Sequence, residues 1–408
     1  MKILFLTLVH FNSLNEKGIY TDLLREFVKN GHNVCAISPI EKRYGKKTEF
    51  IEDKNYRILN LRIGNIQKTN IIEKGISTIL LSLKYKKAIR RYFSNIRFDL
   101  VLYSTPPITL LSAVEYVKKR DNAKTYLLLK DIFPQNAIDI GLLKKSGLKG
   151  FLYRYFRNKE KKLYSISDRI GCMSQANVDY LLKHNKEIES TKVEVCPNSI
   201  DVVDNSISDL EKERIRKQYK LPLDKKIFIY GGNLGKPQGI SFMIDCLKEC
   251  KDLTDAFFLI VGSGTEYDKI EKYMLDSKQP NVKLMKFIAK DDYNTLLGAC
   301  DCGLIFLDYR FTIPNFPSRL LYYMQAKLPV FAITDPNTDI GKIIYDGYFG
   351  WWVASNDSSK FKHKIIEIMD ADLTNKGQNA WEYLIKYYHS RVSYDIIYNH
   401  YKEWSKNE

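Results

Sequence analysis

Phe228-Ile229-Tyr230-Gly231-Gly232-Asn233-Leu234-Gly235-Lys236-Pro237-Gln238-Gly239 is an apolar strand running straight into a glycine-rich loop. The segment behind it, Ile240–Cys250, has helical periodicity, so the loop joins the carboxyl end of a strand to the start of a helix. Glycines let a backbone approach a ligand closely, and the start of a helix favours negative charge, so a phosphate is the expected guest. Lys236 adds a cation. The same glycines would also serve a tight strand–helix turn that holds nothing. A second unit of this kind follows, Phe257–Val261 running into Gly262-Ser263-Gly264, with no third glycine at the dinucleotide spacing and Asp268 and Lys269 following instead. Neither loop reads Gly-x-Gly-x-x-Gly, which argues against a nicotinamide cofactor.

A third element is Asn315-Phe316-Pro317-Ser318-Arg319-Leu320-Leu321-Tyr322-Tyr323-Met324, with Pro329-Val330 downstream. Ser318 and Arg319 fall just after a proline, at the expected first turn of a helix, and a hydroxyl beside a guanidinium suits a diphosphate. The alternative is that Ser318 caps the helix and Arg319 is a surface cation.

Outward from this region the chain alternates strand and helix patterns in both directions. Ile3–Val9, Asn33–Ile37, Leu100–Tyr103, Thr125–Leu129 and Arg169–Met173 read as strands in the first half, and Leu304–Leu307 and Val330–Ile333 extend the second. Such alternation gives parallel sheets covered by helices on both faces. The pattern breaks at Val193–Asp201, where a strand ends in Pro197-Asn198, and the polar stretch 204–220 follows. The expected architecture is therefore two Rossmann-like α/β domains facing across a cleft.

Of 408 residues, 64 are Lys or Arg and 48 are Asp or Glu, a net charge of +16. The excess is confined: residues 1–200 carry +17 and residues 201–408 carry −1. A uniformly basic chain would favour nucleic acid; a basic half beside a neutral half, without a reader motif, does not. The seven cysteines have no paired spacing, which excludes a disulfide framework and a zinc site, and a reducing cytoplasm suits them. The apolar start Ile3–Val9 is short and lacks a cleavage site, so it reads as a buried strand, and no segment is long enough to span a bilayer.

In this order, the motifs resemble the retaining GT-B glycosyltransferases of family 4, in the branch that builds bacterial capsule, O-antigen and exopolysaccharide. The elements are the basic first domain, Pro197-Asn198-x-x-Asp201, the Gly-Asn-Leu-Gly loop, Gly262-Ser263-Gly264, a strand near 281–287, and Pro-Ser-Arg-Leu-Leu with its downstream Pro-Val. Lys130-Asp131-Ile132-Phe133-Pro134 resembles the branch's Arg-Asp-x-Trp-Pro element, and Gly18 resembles the glycine turn after the first strand.

The resemblance implies an acceptor-binding domain at residues 1–198, a donor-binding domain at 199–382, and a last helix returning to the first domain from 383 to 408. It implies transfer of a sugar from a nucleotide-diphosphate donor, UDP-linked, with retention, to a polyprenyl-diphosphate-linked saccharide. Asp131, Lys236 and Arg319 would carry the chemistry. Gly18, Gly232, Asn233, Leu234, Gly235, Lys236, Gln238, Gly262, Gly264, Phe287, Ser318, Arg319, Leu320 and Tyr322 would line the donor site. No metal and no resident cofactor are expected, because Asp291-Asp292 is not an Asp-x-Asp motif. Two departures stand out. The paired glutamates of many relatives fall on Pro314 and Tyr322, and their phosphate-binding Arg and Lys fall on Asn233 and Gln238. A non-catalytic nucleotide-sugar-binding subunit and a sugar-nucleotide epimerase are the competing functions.

For Asp131, the residues leave a helix N-cap open as the alternative, and for His10 a loop histidine without chemical role. The segments 76–93 and 148–163 are basic and amphipathic. Their apolar stripes are expected to pack on their own sheet, while their cations face an anionic membrane, which places the protein peripherally at its cytoplasmic face.

Overall fold

The computed structural model describes residues 1–66, 71–286 and 288–406. They form two compact units, Met1–Asp201 with Ser390–Glu408, and Val202–His389. The first unit is built on eight strands: β1 (Lys2–Leu6), β2 (Asn33–Glu41), β3 (Glu49–Glu52), β4 (Tyr56–Ile63), β5 (Leu100–Ser104), β6 (Lys124–Leu129), β7 (Arg169–Cys172) and β8 (Val193–Val195). Their order is β3-β4-β2-β1-β5-β6-β7-β8, parallel throughout except for the hairpin partner β3. β1, β5 and β6 are almost wholly buried, as strands covered by helices on both faces must be.

The second unit has six strands: β9 (Lys226–Asn233), β10 (Ala256–Ser263), β11 (Val282–Met285), β12 (Cys302–Phe306), β13 (Val330–Thr334) and β14 (Gly350–Ala354). Their order is β11-β10-β9-β12-β13-β14, with every pair parallel. The chain leaves β9 toward β10 and later returns to β9's other side as β12. Strand order therefore reverses between β9 and β12, and in the first unit between β1 and β5. Open α/β sheets hold ligands at the carboxyl ends of strands beside such a reversal.

A buried ion pair fixes the base of the second unit. Arg216 Nη2 donates to Asp301 Oδ2 (2.7 Å), which also accepts the Ile227 N–H (2.7 Å), and Arg216 Nε donates to the Ala299 carbonyl (2.9 Å). This ties the helix Asp209–Gln218 to the amino ends of β9 and β12.

The chain division differs from the expected one at both joints. It falls after Asp201 rather than 198, and the return to the first unit begins at Ser390 rather than 383. Tyr383 and Tyr388 stay in the second unit because their rings pack on Phe349 (5.3 Å) and Phe316 (5.9 Å). Only the helix Ser390–Lys406 joins the first unit, where the Tyr394 ring meets Phe27 edge-on at 4.9 Å. Ser390 closes the joint: its N–H donates to the Ile200 carbonyl (2.8 Å) and its hydroxyl to Asp201 Oδ1 (2.5 Å). Asp201 also accepts Arg25 Nε (2.9 Å). All seven cysteines are buried and free.

Candidate functional site

At the carboxyl end of β9 the glycine loop is held by its own side chains. Gln238 Oε1 accepts Asn233 Nδ2 (3.0 Å) and the Gly235 N–H (3.3 Å), and the Tyr230 hydroxyl donates to the Asn233 carbonyl (2.7 Å). Gln238 thus braces the loop. Leu234 is fully buried in the core, as is Leu320. Gly232, Asn233 and Lys236 remain exposed at the loop's surface. Gly232 sits at φ +138°, a conformation that side chains rarely adopt, so glycine is required there.

Gly262 and Gly264 have a packing role. A Cβ at Gly262 would lie 1.9 Å from the Gly232 carbonyl oxygen, and one at Gly264 2.3 Å from the Leu234 carbonyl oxygen. These glycines let the second loop nest on the first, which is a sufficient reason for them without a ligand.

Arg319, the first residue of the helix Arg319–Gln325, is brought onto this loop. Its guanidinium stacks 4.4 Å from the Tyr230 ring centroid, and its Nη2 is 3.0 Å from where a Gly232 Cβ would stand. Arg319 Nη1 is buried without a hydrogen-bond partner. A guanidinium is always charged and carries five donors, so a shielded donor left unmet is costly unless a ligand meets it. Ser318 makes no capping hydrogen bond, so neither half of the bland alternative, cap and surface cation, describes this pair. Tyr322 is half-buried on the same helix. Phe287 lies outside the described residues.

Two tyrosines that the sequence alone does not single out complete the surroundings. The Gly231 N–H donates to the Tyr323 hydroxyl (3.1 Å), which donates to the Leu304 carbonyl (3.0 Å). Tyr293 crosses Gly231 so closely that a Cβ there would fall 1.7 Å from its hydroxyl. Burial pushes the Tyr323 phenol up to about 12, so it stays a neutral donor. Beyond them, Asp335 at the end of β13 is fully buried. Its Oδ1 accepts the N–H groups of Asn337 (2.9 Å) and Thr338 (3.2 Å), while Oδ2 has no partner.

In the first unit, Asp131 follows β6. Both its carboxylate oxygens accept Asn136 Nδ2 (2.7 and 2.8 Å), and the following helix is capped at Pro134, so Asp131 is not the N-cap. Burial pushes its carboxyl up to about 6. Tyr20, near enough to feel the Asp131 charge, is the second residue of the helix that starts after Gly18. Gly18 itself is extended, and its N–H is taken by Asp22 Oδ1 (3.1 Å), so nothing in its geometry demands glycine or leaves that donor open. His10 is more than a loop residue. With Leu8, Val9, Ile40, Tyr44 and Lys46 it helps line a pocket of about 480 Å³, and its Nδ1 pairs with Ser38 Oγ (3.1 Å). Burial lowers its pKa, which favours the neutral imidazole.

Two parallel Rossmann-like sheets, one ending in a glycine loop with a cation laid on it, define a two-domain α/β protein of the GT-B class. Comparison with known proteins carries this further. The model for "Glycosyltransferase Family 4" matches residues 19–204, and the model for "Glycosyl transferases group 1" matches 211–386. WbjE of Pseudomonas aeruginosa, named a probable glycosyltransferase, is 26% identical over 335 residues, covering 78% of this chain and 79% of its own. WcaI of Escherichia coli K12, a glycosyl transferase whose name assigns it to colanic acid biosynthesis, is 24% identical and covers 60% of each chain. Among solved structures, sucrose-phosphate synthase from Thermosynechococcus elongatus superposes with a TM-score of 0.77 at 15% identity over 100% of both chains. Anabaena HepE in complex with UDP gives 0.68 at 14% identity, over 99% of this chain and 100% of its own. The chain is a GT-B glycosyltransferase of the group 1/family 4 type.

Proposed function

We propose that the protein moves a sugar from a UDP-linked donor to a polyprenyl-diphosphate-linked saccharide, with retention, in surface polysaccharide assembly. One observation carries the donor half of this reading: the Arg319 guanidinium, stacked on Tyr230 against Gly232, with Nη1 buried and unmet. A diphosphate is the ligand such a cation fits, since it accepts planar paired hydrogen bonds and brings the opposite charge. The leaving group is a nucleoside diphosphate, so the reaction needs charge stabilisation more than a strong acid. Arg319, exposed Lys236 and the Ser318 hydroxyl are assigned that work, with no resident cofactor. HepE, whose structure is a complex with UDP, and the name of WcaI support the nucleotide and the pathway class.

On the acceptor side, Asp131 is assigned to polarise the acceptor hydroxyl or to stabilise positive charge on the sugar. A pKa near 6 keeps it mostly ionised at neutral pH while leaving it able to take up a proton. Pro314 and Tyr322 stand where many relatives carry glutamates.

The test is release of UDP from UDP-sugars in the presence of lipid-linked saccharides, with the product's anomeric configuration read by NMR. Sustained release with an α-linked product from an α-linked donor supports the reading. UDP-sugar binding without release would instead make the chain a non-catalytic binding subunit, and inversion would refute retention. Chelation with EDTA is expected to leave turnover unchanged; its loss would refute metal-free charge stabilisation.

A further inference from the structure

We infer that the Tyr293 hydroxyl is a further hydrogen-bond donor to the diphosphate of the nucleotide sugar, acting beside Arg319. This rests on the donor reading and deepens it, since that reading assigns the phosphates to Arg319, Lys236 and Ser318 alone.

The topology brings Tyr293 to the right edge of the sheet. It lies in the first turn of the helix Lys290–Gly298, where its N–H donates to the Ala289 carbonyl (2.9 Å). β11 runs parallel to β10, and β10 to β9, so the helix that follows β11 starts at the sheet edge where the glycine loop leaves. Ligands of open α/β sheets bind at that edge.

Two successive glycines then make room for two donors. A Cβ on Gly231 would collide with the Tyr293 hydroxyl and with the ring carbon that bears it. A Cβ on Gly232 would stand 3.0 and 3.4 Å from Arg319 Nη2 and Nη1. Gly231 thus admits a phenol from one helix, and Gly232 a guanidinium from another, at the end of the same strand.

Both donors are shielded and unspent. The Tyr293 hydroxyl and Arg319 Nη1 are each buried without a hydrogen-bond partner. The polar groups around them are engaged elsewhere. The Tyr323 hydroxyl accepts the Gly231 N–H and donates to the Leu304 carbonyl, the Tyr230 hydroxyl donates to the Asn233 carbonyl, and Asn233 donates to Gln238. Leaving one buried donor unmet is costly, and here two adjoin one loop.

Their chemistry selects the acceptor. Burial raises the Tyr293 pKa well above its ordinary 10, so the phenol keeps its proton and offers one directed O–H bond. Arg319 supplies the charge. A base or ribose oxygen could use the hydroxyl but would leave the guanidinium unbalanced, whereas a phosphate oxyanion meets both. As the bond from sugar to diphosphate breaks, its electron pair goes to the departing diphosphate, and the added charge strengthens both hydrogen bonds with no proton leaving Tyr293.

Tyr293→Phe removes the hydroxyl and keeps the ring over Gly231. Full-length native protein and variant are titrated calorimetrically with UDP and, in parallel, with uridine, and each sample is melted. UDP affinity is expected to fall about tenfold, as for loss of one hydrogen bond to a charged group, and uridine affinity to stay the same. The thermal midpoint should hold or rise, because a shielded, unmet hydroxyl has been removed. Equal losses for UDP and uridine would set the hydroxyl against the base or ribose, and a midpoint lowered by several degrees would make it structural; either overturns the inference. Unchanged UDP affinity in the variant, where the native protein binds UDP, overturns this inference alone. Failure of the native protein to bind UDP would remove the donor reading as well.

Discussion

Replacing Arg319 by alanine separates donor binding from stability. In the free protein its guanidinium contributes stacking on Tyr230, worth about 0.5–2 kcal/mol for a partly desolvated cation–π pair. Against this stands the shielded Nη1, an unmet donor costing about 1–3 kcal/mol. The two nearly cancel, so Arg319→Ala should move the thermal midpoint by only a few degrees, roughly 2–4 °C per kcal/mol for a unit of this size. Donor binding has no such compensation. One hydrogen bond between a guanidinium and a phosphate is worth about 1.5–3 kcal/mol, so UDP affinity should fall about ten- to 150-fold. Isothermal calorimetry with UDP and a thermal melt on the same sample read both quantities. Arg319→Lys keeps the charge but loses the planar fork and the stack, and should fall between alanine and the native protein. Unchanged UDP affinity would refute the phosphate role. A midpoint lowered by about 10 °C or more would instead make Arg319 a structural keystone of the loop.

Three further outcomes follow from other sites. Burial pushes Asp335 from 3.8 up to about 6, so the folded state binds its proton more tightly than the unfolded state; the resulting destabilisation is absent below about pH 4 and complete above about pH 6. Asp335→Asn should therefore raise stability above pH 6 by up to about 3 kcal/mol and add nothing below pH 4, as urea melts across pH would measure. Gly262→Ala should cost about 3 kcal/mol or more, because its Cβ would meet a backbone oxygen that cannot turn aside; a normal midpoint in calorimetry would contradict the nested-loop geometry. Asp301→Ala should cost about 3–5 kcal/mol by leaving Arg216 buried and unpaired, and a loss below about 1 kcal/mol in urea denaturation would mean that carbonyl oxygens alone satisfy it.

The second sheet was legible in the sequence wherever a strand carries an uninterrupted apolar run, as at Phe228–Tyr230 and Phe257–Val261. β4 escaped because Arg57, Asn60 and Arg62 interrupt its run, and its partner β3 is a four-residue edge strand, largely exposed. β14 opens on a glycine and two tryptophans, with no aliphatic run to mark it. At the site, the glycine loop and Arg319 could be found because both lie in short local patterns, glycines between a strand and a helix and a hydroxyl beside a guanidinium after a proline. Tyr293 and Tyr323 could not, since each is one aromatic on a helix until tertiary packing lays it across Gly231 or beneath the loop. Gly262 and Gly264 show the converse: a motif that reads as ligand-binding is accounted for by two loops passing within contact distance.

The joint at Asp201 and Ser390 makes the second unit an insertion within the first. The residues flanking it, Ile200–Asp201 and Ser390, are hydrogen-bonded neighbours in the first unit. The polypeptide thus departs and comes back at the same place, 188 residues later by the limits Val202–His389. A splice of two or three residues would bridge the gap without redirecting either flanking segment. Asp131 belongs to the host, and the glycine loop and Arg319 to the guest. Such a fold is separable by construction: the guest can be excised, or exchanged for another with adjoining termini, while the host's sheet and its closing helix keep every strand pairing.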